Sequence, residues 1–152
     1  MDLADVVALC GEPLPGGARL TAYETLQDSL AEQYLEEFII EWDNPRDAAV
    51  LISNDHAALD KTGSCSYGSG GQRIEFTGDE AGVAPRECGN GQYVATQLSI
   101  PSGSLSGFHA SAQCGLYTIS VAVLGGPEST VSHEIADAYL SSAVGRLQQN
   151  LG

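Results

Sequence analysis

Basic residues are scarce in this chain. Lys61 is the only lysine, and with five arginines it faces 20 acidic residues, for a net charge of −14. A surface of that sign repels nucleic-acid phosphates and anionic lipid headgroups, so neither is expected as a partner. No run of about 18 apolar residues occurs, and the most apolar stretch, Ile119 to Leu124, is only strand-sized. The opening "MDLADVVALC" places acids where a secretory leader would carry a basic region. The chain is therefore either cytoplasmic or a mature domain whose leader has been removed. No C-x-x-C pair is present, which removes the usual thiolate ligands of structural zinc and the redox dithiol. A G-x-S-x-G elbow is absent as well, and "GSGG" and "GNG" lack the following helix and Lys-Ser/Thr of a phosphate cradle.

What is present fits one domain, 1–152, able to bury a core of its own, with a hydrophobic share of 43 %. The acids concentrate early: residues 1–60 hold 13 against Arg19 and Arg46, whereas 61–152 hold 7 against 4 bases.

Four cysteines, Cys10, Cys65, Cys88 and Cys114, are widely spaced in loop-like surroundings. An even count with that spacing favours two disulfides in an oxidising compartment. Three pairings are possible and the sequence does not choose; Cys88–Cys114 with Cys10–Cys65 is the one we favour. A nucleophilic Cys114 would need a base and an electropositive setting, which so acidic a chain is poorly placed to supply.

The periodicity predicts a helical first half (1–62), a sheet region (64–125) and a C-terminal helix (129–150). Within the first half, "DLADVVALC" opens as a short helix. Tyr23, Leu26, Leu30, Tyr34, Phe38 and Trp42 recur at intervals of three and four and share one helical face. Thr21 and Glu24 supply a capping box, and Asp28, Glu32 and Glu36 form an acidic stripe opposite. Asn44 as N-cap, Pro45 and Asp47 then start a helix that ends before Gly63. Strands follow near 65–67, 73–77, 92–100 and 116–124, with loops at 78–92 and 101–115. The C-terminal stripe is Val131, Ile135, Tyr139, Val144, Leu147 and Leu151, with Leu140 and Ala143 beside it. The expected fold is α+β: an antiparallel sheet of about four strands with amphipathic helices covering one face.

The candidate sites are few. His133 and Asp137 in "HEIAD" stand one helical turn apart and could reach one metal with Glu134, but the second histidine of the metalloprotease pattern is missing. His56 with Asp55 and Asp60 reads as surface. Asp79, Glu80 and Glu87 lack calcium-loop spacing. No metal, cofactor or catalytic residue is assigned. Long Gly/Ser-rich loops on a scaffold are where recognition often sits, and Leu105, Phe108 and His109 are the contact residues there.

Several features occur together: Cys10 before "GEPLPGG", "SCSY" opening the sheet, Cys114 before "YTISVAV", and a closing "EIADAYLSSAVGRL". This layout resembles small secreted or lipid-anchored envelope domains of actinobacteria, extracellular sensor domains among them. The resemblance implies an exported, disulfide-bonded, non-catalytic domain, with any lipid anchor or membrane segment preceding Met1, and transfers no functional residue. The expected role is thus binding or sensing of a protein partner or small ligand outside the cytoplasm. Two rivals are an acidic inhibitor or immunity-type protein docking a basic partner through Asp28, Glu32, Glu36 and the 41–47 acids, and a small metal-dependent hydrolase using His133 and Asp137.

Overall fold

The computed structural model describes residues 16–28, 33–62, 64–69, 72–78, 80, 82–127 and 131–151. The expected helix 2–10 and Cys10 lie outside them. The segment 21–42 is not a helix but most of a β-hairpin, β1 (Ala18–Asp28) and β2 (Gln33–Trp42), paired antiparallel with Tyr23 opposite Phe38. The misreading has a simple cause. Residues four apart lie on one face of a helix and also on one face of a strand, so the spacing 26, 30, 34, 38, 42 fits both. Leu35 and Ile39 are likewise four apart and do not discriminate; the deciding feature is the aromatic and β-branched richness of the segment, a strand signal. Thr21 sits at a register irregularity between Leu20 and Ala22 rather than at a helix cap. The acidic stripe dissolves with the helix: Asp28 ends β1, Glu36 is on β2, and Glu32 is outside the described residues.

Helix α1 (Pro45–Thr62) starts as the sequence predicts. The Asn44 side-chain oxygen accepts the Asp47 backbone N–H at 3.0 Å, and Pro45 occupies the first position. It carries the chain across one face to the far edge, where β3 (Ser64–Ser69) begins. From there β4 (Gln72–Thr77), β5 (Tyr93–Ile100), β6 (Leu105–Cys114) and β7 (Tyr117–Gly125) return step by step until β7 pairs with β2. The sheet has seven antiparallel strands in the order β1-β2-β7-β6-β5-β4-β3, against about four expected. Two of the additions come from the hairpin, and one from 101–115, expected as loop but containing β6.

Strand β6 escapes recognition because it is built of small residues. It lies between β5 and β7 under a helix, and Ala110 and Ala112 let that helix come close. Gly107 has the same role within the sheet, since a Cβ there would collide with the Val123 carbonyl oxygen.

The two helices do not share a face. Alternate residues of the same strands point to opposite sides, and each side has its own helix. On one, Ile52 and Leu59 of α1 pack with Phe76, Val94, Leu98, Ala122 and Leu124, while Ala48 and Leu51 pack with Ile40 and Trp42. The Trp42 indole N–H donates to Thr118 Oγ1 at 2.9 Å within this layer. On the other side, α2 (His133–Leu151) buries Ala136, Leu140, Ala143, Val144 and Leu147 against Leu35, Ile39, Ala95, Ala110, Ile119, Val121 and Val123. Tyr139 and Leu151, expected in the stripe, are exposed. The middle strands are thus covered on both faces, which explains the nearly continuous burial of β7, Thr118 and Ser120 included.

Cys88, closing the 3-10 turn Arg86–Cys88, and Cys114, ending β6, are joined in a disulfide. Cys65 lies on β3, but the expected Cys10–Cys65 pairing falls outside the described residues. No described helix is long and apolar enough to cross a membrane.

Candidate functional site

Helix α2 lies along β6 and β7 and does not reach across to β4. The uncovered part of that face, over β4, β5 and β6, is a cleft of about 360 Å³. Register explains its floor. Thr77, Gln97 and Phe108 are successive cross-strand partners and form one row; Glu75, Ser99 and Ser106 form the next, in which the two serines line the cleft. Val131, just before α2, closes one side, and the backbone at Leu98 and Gly107 completes the lining. No ionisable side chain of the described residues lines it. The nearest charges in register, Arg73 and Glu75 on β4, are ion-paired to each other at 3.2 Å.

Beside Phe108 stands a polar cluster. The Phe108 and His133 rings are 5.9 Å apart between centroids. The Tyr93 hydroxyl lies 2.6 Å from both His133 Nε2 and Asp137 Oδ1, and His133 Nε2 is 3.3 Å from Asp137 Oδ2. Proton accounting fixes the roles. A phenol has one hydrogen; given to the carboxylate, it leaves the phenol oxygen to accept from an Nε2–H of His133. With a hydrogen on His133 Nε2, each of these contacts has a donor and an acceptor. Tyr93 is also held from the opposite side of the sheet, where His56 Nε2 donates to its carbonyl at 2.6 Å. The cluster therefore fixes the start of α2 and the edge of the cleft. Glu134 turns away, fully exposed; hydrogen bonds from its own backbone N–H and from Ser132 hold its carboxyl below the ordinary range. Among the described residues no three His, Cys, Asp or Glu side chains converge as a metal site.

The residues singled out from sequence separate. Leu105, Phe108 and His109 are on strand β6, not a loop, and alternation divides them. Phe108 faces the cleft. Leu105 packs on the α1 side with Ile52, Leu59 and their neighbours, and His109 is buried on that side at 8 % exposure. Asp55, expected at the surface, is also buried, at 3 %. Glu80 forms a backbone bond to Ala95, Glu87 is exposed on the 3-10 turn, and Asp79 lies outside the described residues. The sequence reading missed Thr77, Gln97, Ser99, Ser106 and Val131. For the four strand residues the only sequence signal is alternation, which becomes informative once the partners across β4–β5–β6 are known; Val131, read as part of the C-terminal helical stripe, lies just before α2 instead.

The fold has a known counterpart. The extracellular domain of PknH from Mycobacterium tuberculosis aligns with a TM-score of 0.55 at 8 % identity, covering 82 % of this chain. The chain spans 62 % of that domain's length. At such identity the likeness concerns the fold alone. No protein-family model and no curated protein sequence matches the chain.

Proposed function

We propose that this is a non-catalytic binding or sensor domain acting outside the cytoplasm, with its ligand seated in the cleft over β4, β5 and β6. The observation that carries the reading is the cleft itself: a preformed concavity of about 360 Å³ beside a half-buried aromatic ring, on a rigid sheet rather than a mobile loop. The disulfide Cys88–Cys114 supports the extracytoplasmic assignment, since such bonds persist in oxidising compartments. The fold shared with the extracellular domain of PknH supports it too. Against catalysis, the Tyr93–His133–Asp137 cluster spends its hydrogen bonds internally and presents no activated nucleophile to the cleft.

The test is a fragment screen by ligand-observed NMR on the full chain, with neutral, cationic, anionic and apolar compounds. Binders are expected to shift the backbone amides of residues 77, 97–99 and 106–108 and to leave those of α1 unmoved. Shifts confined to another surface, or none with any compound class, overturn the assignment of the cleft.

A further inference from the structure

Resting on the cleft reading above, we propose that the ligand is a neutral carbohydrate, a mono- or disaccharide unit stacked on the Phe108 ring and hydrogen-bonded by Thr77, Gln97, Ser99 and Ser106.

The chemistry of the lining narrows the choice by elimination. In a chain of net charge −14, the described residues that line the cleft include neither a carboxylate nor a basic group, and Glu75, which continues the Ser99–Ser106 row, is ion-paired to Arg73, so they offer no counter-charge to a cation or an anion. A wholly apolar ligand would cover three hydroxyls and an amide without giving them partners, which is costly. A peptide recognised by strand addition needs free main-chain N–H and C=O groups at a sheet edge. This site is on a sheet face, where those groups of β5 and β6 are committed to the ladder.

What remains must be uncharged, dense in groups that both donate and accept, and equipped with an apolar C–H face. A pyranose has that combination. Each of its hydroxyls can give and receive one bond, as can the side chains of Thr77, Ser99, Ser106 and Gln97. The two cross-strand rows present these groups on a flat floor, with Phe108 at the end of the first row for the ring's C–H face. The Phe108 ring is backed by His133, itself held by Tyr93 and Asp137, so the platform is positioned before any ligand arrives. A volume of about 360 Å³ suits one or two such rings.

The experiment titrates the intact chain with maltose, cellobiose and di-N-acetylchitobiose, using glucuronate and glucosamine as charged comparisons. Saturation-transfer NMR and amide shifts are the readouts. At least one neutral sugar is expected to shift residues 97–99 and 106–108, with saturation strongest at its C–H protons, and to bind at least tenfold more tightly than either charged sugar. Phe108→Ala is expected to weaken binding at least tenfold and Phe108→Trp to retain it. Because Phe108 also contributes packing, Gln97→Ala and Ser106→Ala, at exposed positions, provide an independent check and should each weaken binding several-fold with the fold unchanged. If fragments of another class occupy the cleft while every neutral sugar fails, the carbohydrate assignment is wrong and the cleft reading stands. If nothing of any class binds there, both fall.

Discussion

His109 Nδ1 is buried with no hydrogen-bond partner among the described residues. Its Nε2 lies 3.5 Å from Ser111 Oγ, which is itself 2.6 Å from Ser120 Oγ, and the Phe76 ring packs edge-on at 6.2 Å. Burial disfavours the imidazolium and pushes its pKa down from 6.5 to about 4. The unfolded chain binds this proton near pH 6.5 and the folded chain only near 4, so between those values the unfolded state is the more protonated. Stability contributed by the neutral imidazole is therefore complete above pH 6.5 and lost as pH falls towards 4, by roughly 2–3 kcal/mol at pH 4.5. Urea denaturation at pH 7.5 and 4.5 checks this by comparing the chain with His109→Leu. The variant should lose less stability across that interval by about the same amount; an equal loss in both proteins would show that other groups carry the acid sensitivity. A histidine in a Ser/Gly-rich run gives no sequence sign of this, because burial of β6 depends on α1, which is distant in sequence.

At the scale of elements, the disulfide ties the 3-10 turn at 86–88 to the end of β6 across a separation of 26 residues. Loop closure of that length removes roughly 3–4 kcal/mol of freedom from the unfolded chain. The double variant Cys88→Ser with Cys114→Ala should fold to the same sheet but unfold at a clearly lower urea concentration, with a slope consistent with a less compact unfolded state. Unchanged stability would mean that packing of the turn against α2 already suffices. That cross-links form was legible from the even count and wide spacing, although the choice of partners was only favoured and not fixed; α1 was legible too, since its Asn44–Pro45–Asp47 start is written locally. The hairpin β1–β2 was not, because a spacing of four is shared by helix and strand. Nor was β6, whose alanines and glycine look like loop until two layers of helix are placed over them. Of the candidate site only Phe108 stood out, as an aromatic in a polar run. Apart from Val131 before α2, the remaining lining residues lie on three strands and meet through register, and a cleft exists at all because α2 stops short of β4. Neither fact is encoded within any short window of sequence.

For the molecule as a whole, the small number of cations matters more than their placement. Arg19 pairs with Asp43 at 2.6 Å and Glu41 at 3.5 Å, Arg73 with Glu75, and Arg146 with the nearly buried Glu37 at 2.6 Å. Among the described residues these three arginines are thus committed to specific carboxylates, and over the whole sequence six basic residues face 20 acids. Exposed pairs of this kind contribute little individually, whereas repulsion summed over a net charge of −14 opposes the compact state. Salt acts on the two effects in opposite directions, and here repulsion is the larger. Raising NaCl from low concentration towards 0.2 M shortens the Debye length to below about 10 Å, so distant like charges cease to interact. The midpoint of thermal unfolding should rise by about 3–5 °C over that range, corresponding to roughly 1 kcal/mol. Arg146→Ala should respond differently from the parent chain: it exchanges a short, half-buried pair for a buried lone carboxylate on Glu37, a local cost that screening relieves only slightly. A midpoint that falls with salt in the parent chain would show instead that its few ion pairs outweigh the repulsion among its acids.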